Sequence, residues 1–226
     1  MNASLNKTTP ASSQDAARFF DGFAESFDTI YDGKRNPVMR WVDQRFRSDM
    51  FLRYAHTFET LGDLNGKTVL DVGCGSGPYV IEALKRGATR VTALDPAPHM
   101  LDLVRERLKA SGFGARCALV TGLFPQVQLQ PHDHAIVMGV MDYVENPKQF
   151  LKALVPLVKT SAVISFPSKH WFRTPFRKFR YRLRQCPVYF YDEAYIKELG
   201  SAAGFRKTEI RKIPGAGMDY HVCLKP

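Results

Sequence analysis

The fold of this chain is decided by the stretch Val69-Leu70-Asp71-Val72-Gly73-Cys74-Gly75-Ser76-Gly77-Pro78. Its apolar run is typical of a buried parallel strand, and the glycines that follow allow the backbone to turn closely against a ligand. A helix-like segment comes next, at 79–86. The alternative interpretation is the dinucleotide fingerprint G-x-G-x-x-G, which requires a glycine at position 78, where this chain has Pro78. The pattern is therefore D-x-G-x-G-x-G.

Two further elements follow in the order that a parallel sheet requires. The run 91–94 ends on Asp95, eighteen residues beyond Gly77, and an acid at that place can accept hydrogen bonds from both hydroxyls of a ribose. The strand-like run 134–138 ends on Met138. It is followed by the polar pair Asp142 and Tyr143 and then by an Asn-Pro step.

Together these elements resemble the motifs of the class I S-adenosylmethionine (SAM)-dependent methyltransferases, in their small-molecule, ubiquinone-biosynthesis-like branch. The resemblance implies SAM as the cofactor, with Asp71 near the methionine ammonium, often through water, and Asp95 on the ribose. It also implies backbone contacts from the glycine turn. The other positions expected to contact the cofactor are Tyr31, Gly73, Cys74, Gly75, Gly77, Pro96, Leu123, Phe124 and Met138.

One position departs from the family pattern. After the third strand the family often carries an acidic residue that binds the adenine amino group, and this chain has Leu123 there. We therefore expect adenine to be held by backbone groups and by apolar packing against Leu123 or Phe124.

The organisation predicted along the chain is a single α/β domain, a Rossmann-like seven-stranded sheet with helices on both faces and an antiparallel last strand. Residues 1–14 are expected to be a disordered tail, 15–66 a helical lid, and 67–226 the SAM-binding core with an acceptor-site insert at 167–191. The predicted strands are 68–72, 91–94, 117–120, 134–138, 161–166, 205–213 and 218–224. The predicted helices after the lid are 79–86, 98–110, 147–158 and a segment that begins after Asp192 and stops at Gly204.

The lid contains the run Phe19-Phe20-Asp21-Gly22-Phe23-Ala24-Glu25-Ser26-Phe27-Asp28-Thr29-Ile30-Tyr31. It resembles the lead-in of small-molecule methyltransferases, in which the last aromatic residue lies near SAM. An aromatic face also suits a sulfonium cation electrostatically. We therefore expect Tyr31 to contact the cofactor, although a cap helix packed into the core would use the same apolar residues.

Methyl transfer needs alignment and exclusion of water more than an elaborate catalytic triad, and a general base is useful only for a protonated acceptor. The candidate catalytic residues are His170, Tyr143 and Asp142, because ligands lie at the carboxyl ends of parallel strands. The alternatives are a surface histidine in a basic loop for His170, and a cap for the helix near Pro147 for the other two. The remaining histidines that we considered are expected to be structural or solvated: His56, His99, His132 and His134.

A basic segment follows the fifth strand. Of the formal net charge of +10, the stretch 169–184 supplies seven Lys and Arg residues and no acid. The segment 173–184 is predicted to be a basic amphipathic helix. It would recognise an anionic acceptor, bind RNA or dock on an anionic membrane surface, or else be only a solvated face.

The predicted function is methyl transfer from SAM to a small anionic or aromatic acceptor, with O- or N-methylation favoured. DNA is not an expected partner, and no metal site is expected. The alternatives are an RNA methyltransferase and a tetrapyrrole-carboxylate O-methyltransferase. The second rests on a distant resemblance of the lead-in and of Arg173-Thr174-Pro175 to magnesium-protoporphyrin methyltransferases. A non-enzymatic SAM-binding protein is disfavoured because the glycine turn and Asp95 are both present.

Cysteine usage and hydropathy place the protein in the cytoplasm. The four cysteines have neither paired nor metal-ligand spacing, which is typical of free thiols in a reducing compartment. No apolar stretch approaches the roughly 20 residues that span a membrane, and the first residues lack the apolar core of a secretory signal.

Overall fold

The computed structural model describes residues 51–168, 189–213 and 219–226. Its strands are β1 (Thr68–Val72), β2 (Arg90–Asp95), β3 (Cys117–Thr121), β4 (His132–Val137), β5 (Val158–Phe166), β6 (Lys207–Lys212) and β7 (Tyr220–Lys225). Its helices are α1 (51–61), α2 (Pro78–Lys85), α3 (Pro98–Ser111), α4 (Pro147–Leu154) and α5 (Glu193–Ala203). The predicted alternation of strands and helices is confirmed.

All seven strands form one sheet in the order β3-β2-β1-β4-β5-β7-β6. Strands β1 to β5 are parallel to one another, and β7 lies antiparallel between β5 and β6. The strand order reverses between β1 and β4, and in open α/β sheets ligands bind in the crevice at such a switch point. The predicted Rossmann-like sheet with an antiparallel last strand is therefore confirmed.

Helices cover both faces of the sheet. Successive side chains of a strand point to opposite faces, so neighbouring residues of β1 belong to different buried clusters. In β1, Val69 belongs to the buried cluster that contains residues of α1, α2 and α3. Its neighbour Leu70 belongs to the cluster that contains residues of α4 and α5. Asp71 follows Val69 by two positions, so it points to the face that α1 covers.

Two boundaries differ from the prediction by three residues or more. The helix predicted at 147–158 ends as an α-helix at Leu154 and continues as a 3₁₀ turn over Val155–Leu157. Pro156 explains the change, since it has no N–H to donate to the preceding turn. Strand β5 begins at Val158, three residues earlier than predicted, because the exposed residues Lys159 and Thr160 interrupt its apolar pattern.

The capping residues predicted for helix α5 are found in the structure. The Asp192 side chain accepts a hydrogen bond from Tyr195 N, and Gly204 ends α5 with a positive φ. Helix α4 is capped by Asn146, whose Oδ1 accepts from Gln149 N at 3.0 Å. The capping role considered for Asp142 and Tyr143 is therefore filled by another residue.

Several predictions lie outside the described residues. They are the tail 1–14, the lid before residue 51 with Tyr31, and the insert between Ser168 and Tyr189 with His170 and the basic segment 173–184. Within the described ranges, no helix is both long enough and apolar enough to cross a membrane.

Candidate functional site

The turn after β1 brings backbone and open space together at the carboxyl edge of the sheet. Gly73 N and Cys74 N both donate to Leu94 O, which ties the turn to β2. A Cβ added at Gly73 would overlap Val140 Cγ2, so only glycine allows the loop after β4 to approach. Gly75 has a φ of +53° and nothing within 4 Å of an added Cβ. The space beside Gly75 is therefore open, and a ligand can contact the backbone there.

Asp95 holds this turn from the neighbouring strand. Its Oδ2 accepts from Gly75 N at 2.8 Å, and its Oδ1 accepts from Ala97 N at 2.9 Å. The residue is 6% exposed, and a carboxylate oxygen can accept more than one hydrogen bond. The acid predicted to bind a ribose therefore also shapes the turn.

Asp71 is a buried carboxyl group with a strongly perturbed pKa. Its side chain is 1% exposed, and its Oδ2 has no hydrogen-bond partner among the described residues. Burial first, and then the charge of Asp95, raise the pKa of Asp71 to about 8. An unsatisfied buried polar atom is costly, so a cation or a hydrogen-bond donor next to this carboxyl group would be stabilising.

The loop after β4 lies beside this turn. Gly139 N donates to Ser165 Oγ at 2.8 Å, which ties the loop to β5. Asp142 is buried in the 3₁₀ turn Met141–Tyr143, and its carbonyl oxygen accepts from Tyr189 N at 2.8 Å. The candidate catalytic pair therefore lies where the chain returns from the insert.

The other predicted cofactor residues divide by burial. Cys74 is a buried thiol, and Gly77 precedes α2 with its N–H bonded to Cys74 O. Phe124 is buried in the core with its ring centroid 4.7 Å from that of Phe150. The partly exposed positions that border the turn and the strand exits are Pro96, Leu123 and Met138. The structure thus brings the exits of β1, β2, β3 and β4 to one edge.

The remaining histidine predictions have mixed outcomes. His132 accepts or donates at Thr92 Oγ1 at 2.8 Å, and His134 does so at Ser161 Oγ at 2.9 Å. Both are buried, so they are structural and the solvated alternative is wrong for them. His56 lies on α1 and His99 on α3, and both are away from the glycine turn's hydrogen bonds.

A polar cluster beneath α1 was not anticipated. It contains Arg53, Thr57, Ser165, Asp219 and His221, with Arg53 Nη1 3.5 Å from Ser165 Oγ and 3.6 Å from Asp219 Oδ2. Burial lowers the pKa of His221 to about 4, aided by the positive charges of His56, Arg211 and Arg53. The available signal was the presence of polar residues at apolar positions of β5 and β7.

Ser168 is the last residue that the structure describes after β5, before the description resumes at residue 189. It forms an isolated parallel bridge with Tyr191, and its buried Oγ has no partner among the described residues. Tyr191 is anchored in turn by its hydroxyl, which donates to Met141 O at 3.1 Å. The insert therefore leaves and re-enters the described fold at one place.

Nothing in the described ranges resembles a metal centre, since no group of three or more His, Cys, Asp or Glu side chains is placed to hold an ion. The site consists instead of a glycine turn, two carboxyl groups and an adjoining polar cluster. Such an arrangement has the chemistry to bind a cationic ligand that also carries hydroxyl groups.

Comparison with known proteins agrees with this geometry. Residues 69–161 match the model of a family described as a methyltransferase domain. A tRNA U34 carboxymethyltransferase from Idiomarina loihiensis is 30% identical over 158 residues, which are 69% of this chain and 48% of that protein. A ubiquinone biosynthesis O-methyltransferase from Bordetella bronchiseptica is 29% identical over 180 residues, which are 75% of this chain and 73% of that protein.

The fold has solved counterparts as well. A magnesium protoporphyrin IX methyltransferase from Synechocystis PCC 6803, with bound SAH, superimposes with a TM-score of 0.74 at 20% identity, covering 95% of this chain and all of that one. This chain spans about half the length of the tRNA enzyme and about a third of some other curated relatives. The domain match places residues 69–161 in a methyltransferase family, and the chain shares the fold of class I SAM-dependent methyltransferases.

Proposed function

We propose that this protein transfers a methyl group from SAM to a small anionic or aromatic acceptor, on oxygen or nitrogen. The observation that carries the proposal is the buried oxygen of Asp71, which has no partner among the described residues and lies beside a turn with open space at Gly75. SAM has a methionine ammonium and a ribose, and these are the groups that such a site lacks.

The residues of the turn fit SAM by their chemistry. Asp71 would take the ammonium, whose charge would offset both the burial of the carboxylate and its repulsion by Asp95. Asp95 would accept hydrogen bonds from the ribose hydroxyls while it holds Gly75. Contacts from Tyr31, Gly73, Cys74, Gly77, Pro96, Leu123, Phe124 and Met138 remain part of the proposal.

When bound, SAM supplies an electrophilic methyl group, and transfer to an acceptor lone pair leaves the C–S electron pair on sulfur as a thioether. The chain contributes by holding the reactants in line and excluding water from the crevice. If the acceptor carries a proton, His170, Asp142 and Tyr143 are the candidates to accept it. A carboxylate acceptor would need none of them.

The acceptor preference is supported by where the basic segment begins and ends. The seven basic residues of 169–184 belong to a segment that departs after Ser168 and returns at Tyr189. Tyr189 N donates to Asp142 O, and Ser168 is bridged to Tyr191. Both residues that flank this segment lie near the loop after β4, and the charge of the segment favours an anionic acceptor.

Two other acceptors have a specific observation in their favour. RNA is favoured by the similarity to a tRNA enzyme together with the net charge of +10. A tetrapyrrole carboxylate is favoured by the structural similarity to a magnesium protoporphyrin IX methyltransferase. Peripheral contact with an anionic membrane remains open to test. For the compartment we propose the cytoplasm, because the described cysteines Cys74, Cys117 and Cys223 are free thiols.

The test is methyl transfer from radiolabelled SAM into host lysate that is then separated into small-molecule, lipid, RNA and protein fractions. Label in the small-molecule or lipid fraction supports the proposal, and mass spectrometry then identifies the acceptor. Label in RNA would favour the tRNA-like alternative. Failure of the purified protein to bind SAM would contradict the proposal as a whole.

A further inference from the structure

Arg53 lies on α1, next to the carboxyl end of β5 and the start of β7. Its Nη1 is 3.5 Å from Ser165 Oγ and 3.6 Å from Asp219 Oδ2, and its side chain is 16% exposed. Ser165 pairs with His221 across β5 and β7, so the guanidinium is placed over these two strands. The arginine therefore lies over the ends of β5 and β7 and outside the glycine turn.

The guanidinium is poorly satisfied by these contacts. It has five N–H donors in a rigid fork, and in the described part of the chain only Nη1 makes polar contacts, both of them long. A well-formed arginine–carboxylate pair is bidentate, with N–O distances near 2.8 Å. A partly buried charge without such a pair is unfavourable. The guanidinium therefore has N–H donors that an oxyanion could satisfy and that the described chain does not.

The position of Arg53 suits the acceptor better than the cofactor. Ser165 Oγ accepts from Gly139 N, and the neighbouring Val140 lies against Gly73 in the cofactor turn. Strands β5 and β1 are separated by β4 alone, and adjacent strands are about 4.8 Å apart. Strand β5, over which Arg53 lies, is thus roughly 10 Å from β1, which carries Asp71, and a small acceptor can bridge such a separation.

We propose that Arg53 binds an oxyanion of the acceptor, a carboxylate or a phosphate, and that Asp219 is the internal anion that the acceptor displaces. This inference rests on the proposed function, since it names the binding residue for the anionic acceptor. Arg53 is a binding residue, and the methyl group itself is transferred elsewhere in the crevice.

The test compares Arg53→Gln and Asp219→Asn with a matched control, Arg211→Gln. Arg211 is exposed on β6 and pairs with Glu59 at 3.0 Å, so its loss removes an arginine ion pair that does not involve Ser165 or Asp219. The probe is the small-molecule fraction of host lysate that an anion-exchange resin retains. Its dilution series gives a half-saturating amount and a maximal rate for transfer from radiolabelled SAM, and calorimetry gives the affinity for SAM.

We expect Arg53→Gln to raise the half-saturating amount about tenfold or more, the loss typical of one charge-assisted hydrogen bond, with a nearly unchanged maximal rate. Asp219→Asn should lower it, because the competing anion is gone. Arg211→Gln should leave it unchanged, and all three variants should bind SAM within about twofold of the wild type.

Each other outcome overturns the inference. A tenfold loss of SAM affinity in Arg53→Gln would assign the arginine to the methionine carboxylate, and an unchanged half-saturating amount in both variants would leave it no role in binding. Label only in the unretained, neutral fraction would exclude an anionic acceptor but leave methyl transfer intact. No transfer by the wild type would refute the proposed function and the inference together. If Arg53→Gln does not fold, as judged by thermal melting, the direction of the Asp219→Asn change decides.

Discussion

Replacing Asp71 with asparagine should make the SAM-free protein more stable while weakening its binding of SAM. The carboxyl group is buried, with a pKa raised to about 8 by desolvation and by Asp95. Asparagine has the same shape as the protonated acid and carries no charge. The substitution therefore removes the free-energy penalty of ionising this site, and it also removes the anion that would bind the methionine ammonium.

The size of the effect follows from proton linkage. In the unfolded chain the carboxyl group has its usual pKa of 3.8, so between that value and about 8 the folded protein holds a proton that the unfolded protein has lost. The free energy of unfolding of the wild type therefore falls as pH rises through this interval, by up to about 1.4 kcal/mol per pH unit. At pH 7 this effect lowers the free energy of unfolding of the wild type by at most about 4 kcal/mol. The Asp71→Asn variant has no such decrease.

The assay is urea unfolding of the SAM-free protein between pH 5 and 8.5, with Asp71→Asn and Asp133→Asn measured in parallel. The control has the opposite expectation. The carboxylate of Asp133 accepts from Thr68 N and Thr68 Oγ1, both at 2.8 Å, and the bond from the Thr68 backbone, aided by that from its side chain, lowers its pKa. Asp133→Asn should therefore lose stability at neutral pH, whereas Asp71→Asn should gain more stability as the pH rises.

Calorimetry with SAM supplies the second half of the prediction. Wild-type binding at pH 7 should release close to one proton, detected by repeating the titration in buffers of different ionisation enthalpy, and Asp71→Asn should release none and bind more weakly. A constant stability difference between Asp71→Asn and wild type across the pH range would refute the raised pKa. Unchanged affinity for SAM would refute the placement of the ammonium.

Three other changes are expected to be measurable. Asp95→Ala should abolish SAM binding in calorimetry and lower stability by about 2–4 kcal/mol in urea, because two buried backbone N–H groups lose a charged acceptor. The folded protein keeps buried His221 neutral with a pKa of about 4, so the free energy of unfolding should fall by up to about 3 kcal/mol as pH drops from 6.5 to 4; His221→Gln should reduce that slope. Reversing the charge of Arg177 and Arg180 together should raise the half-saturating amount of an anionic acceptor and spare SAM affinity, and unchanged kinetics would mean that the basic segment is only a surface.

The sequence was informative about the cofactor half of the molecule because that half depends on backbone geometry and strand ends. A glycine turn after an apolar strand, and an acid at the end of the next strand, are local patterns, and both are found where they were predicted. The hydrogen bond by which Asp95 holds Gly75 joins the end of β2 to the turn after β1. No local pattern reports such a contact.

The acceptor half was less predictable for the same reason. Arg53, Ser165 and Asp219 come from a helix, a central strand and the start of the last strand, so only the folded chain brings them together. The early start of β5 was missed because Lys159 and Thr160 are exposed and polar at the strand's amino end. The burial of His132 and His134 depends on hydroxyl partners in neighbouring strands, which periodicity cannot supply.

The bridge between Ser168 and Tyr191 has a consequence for how this protein can be altered. Residues paired in this way lie about 5 Å apart, a gap that two or three residues can span. The entropy of closing a loop depends only weakly on its length, so inserts of very different size could join these two points at similar cost. The segment between the two bridged residues should therefore be replaceable by a foreign acceptor loop or by a short linker. The sheet should tolerate the replacement because its strand pairing ends before Ser168.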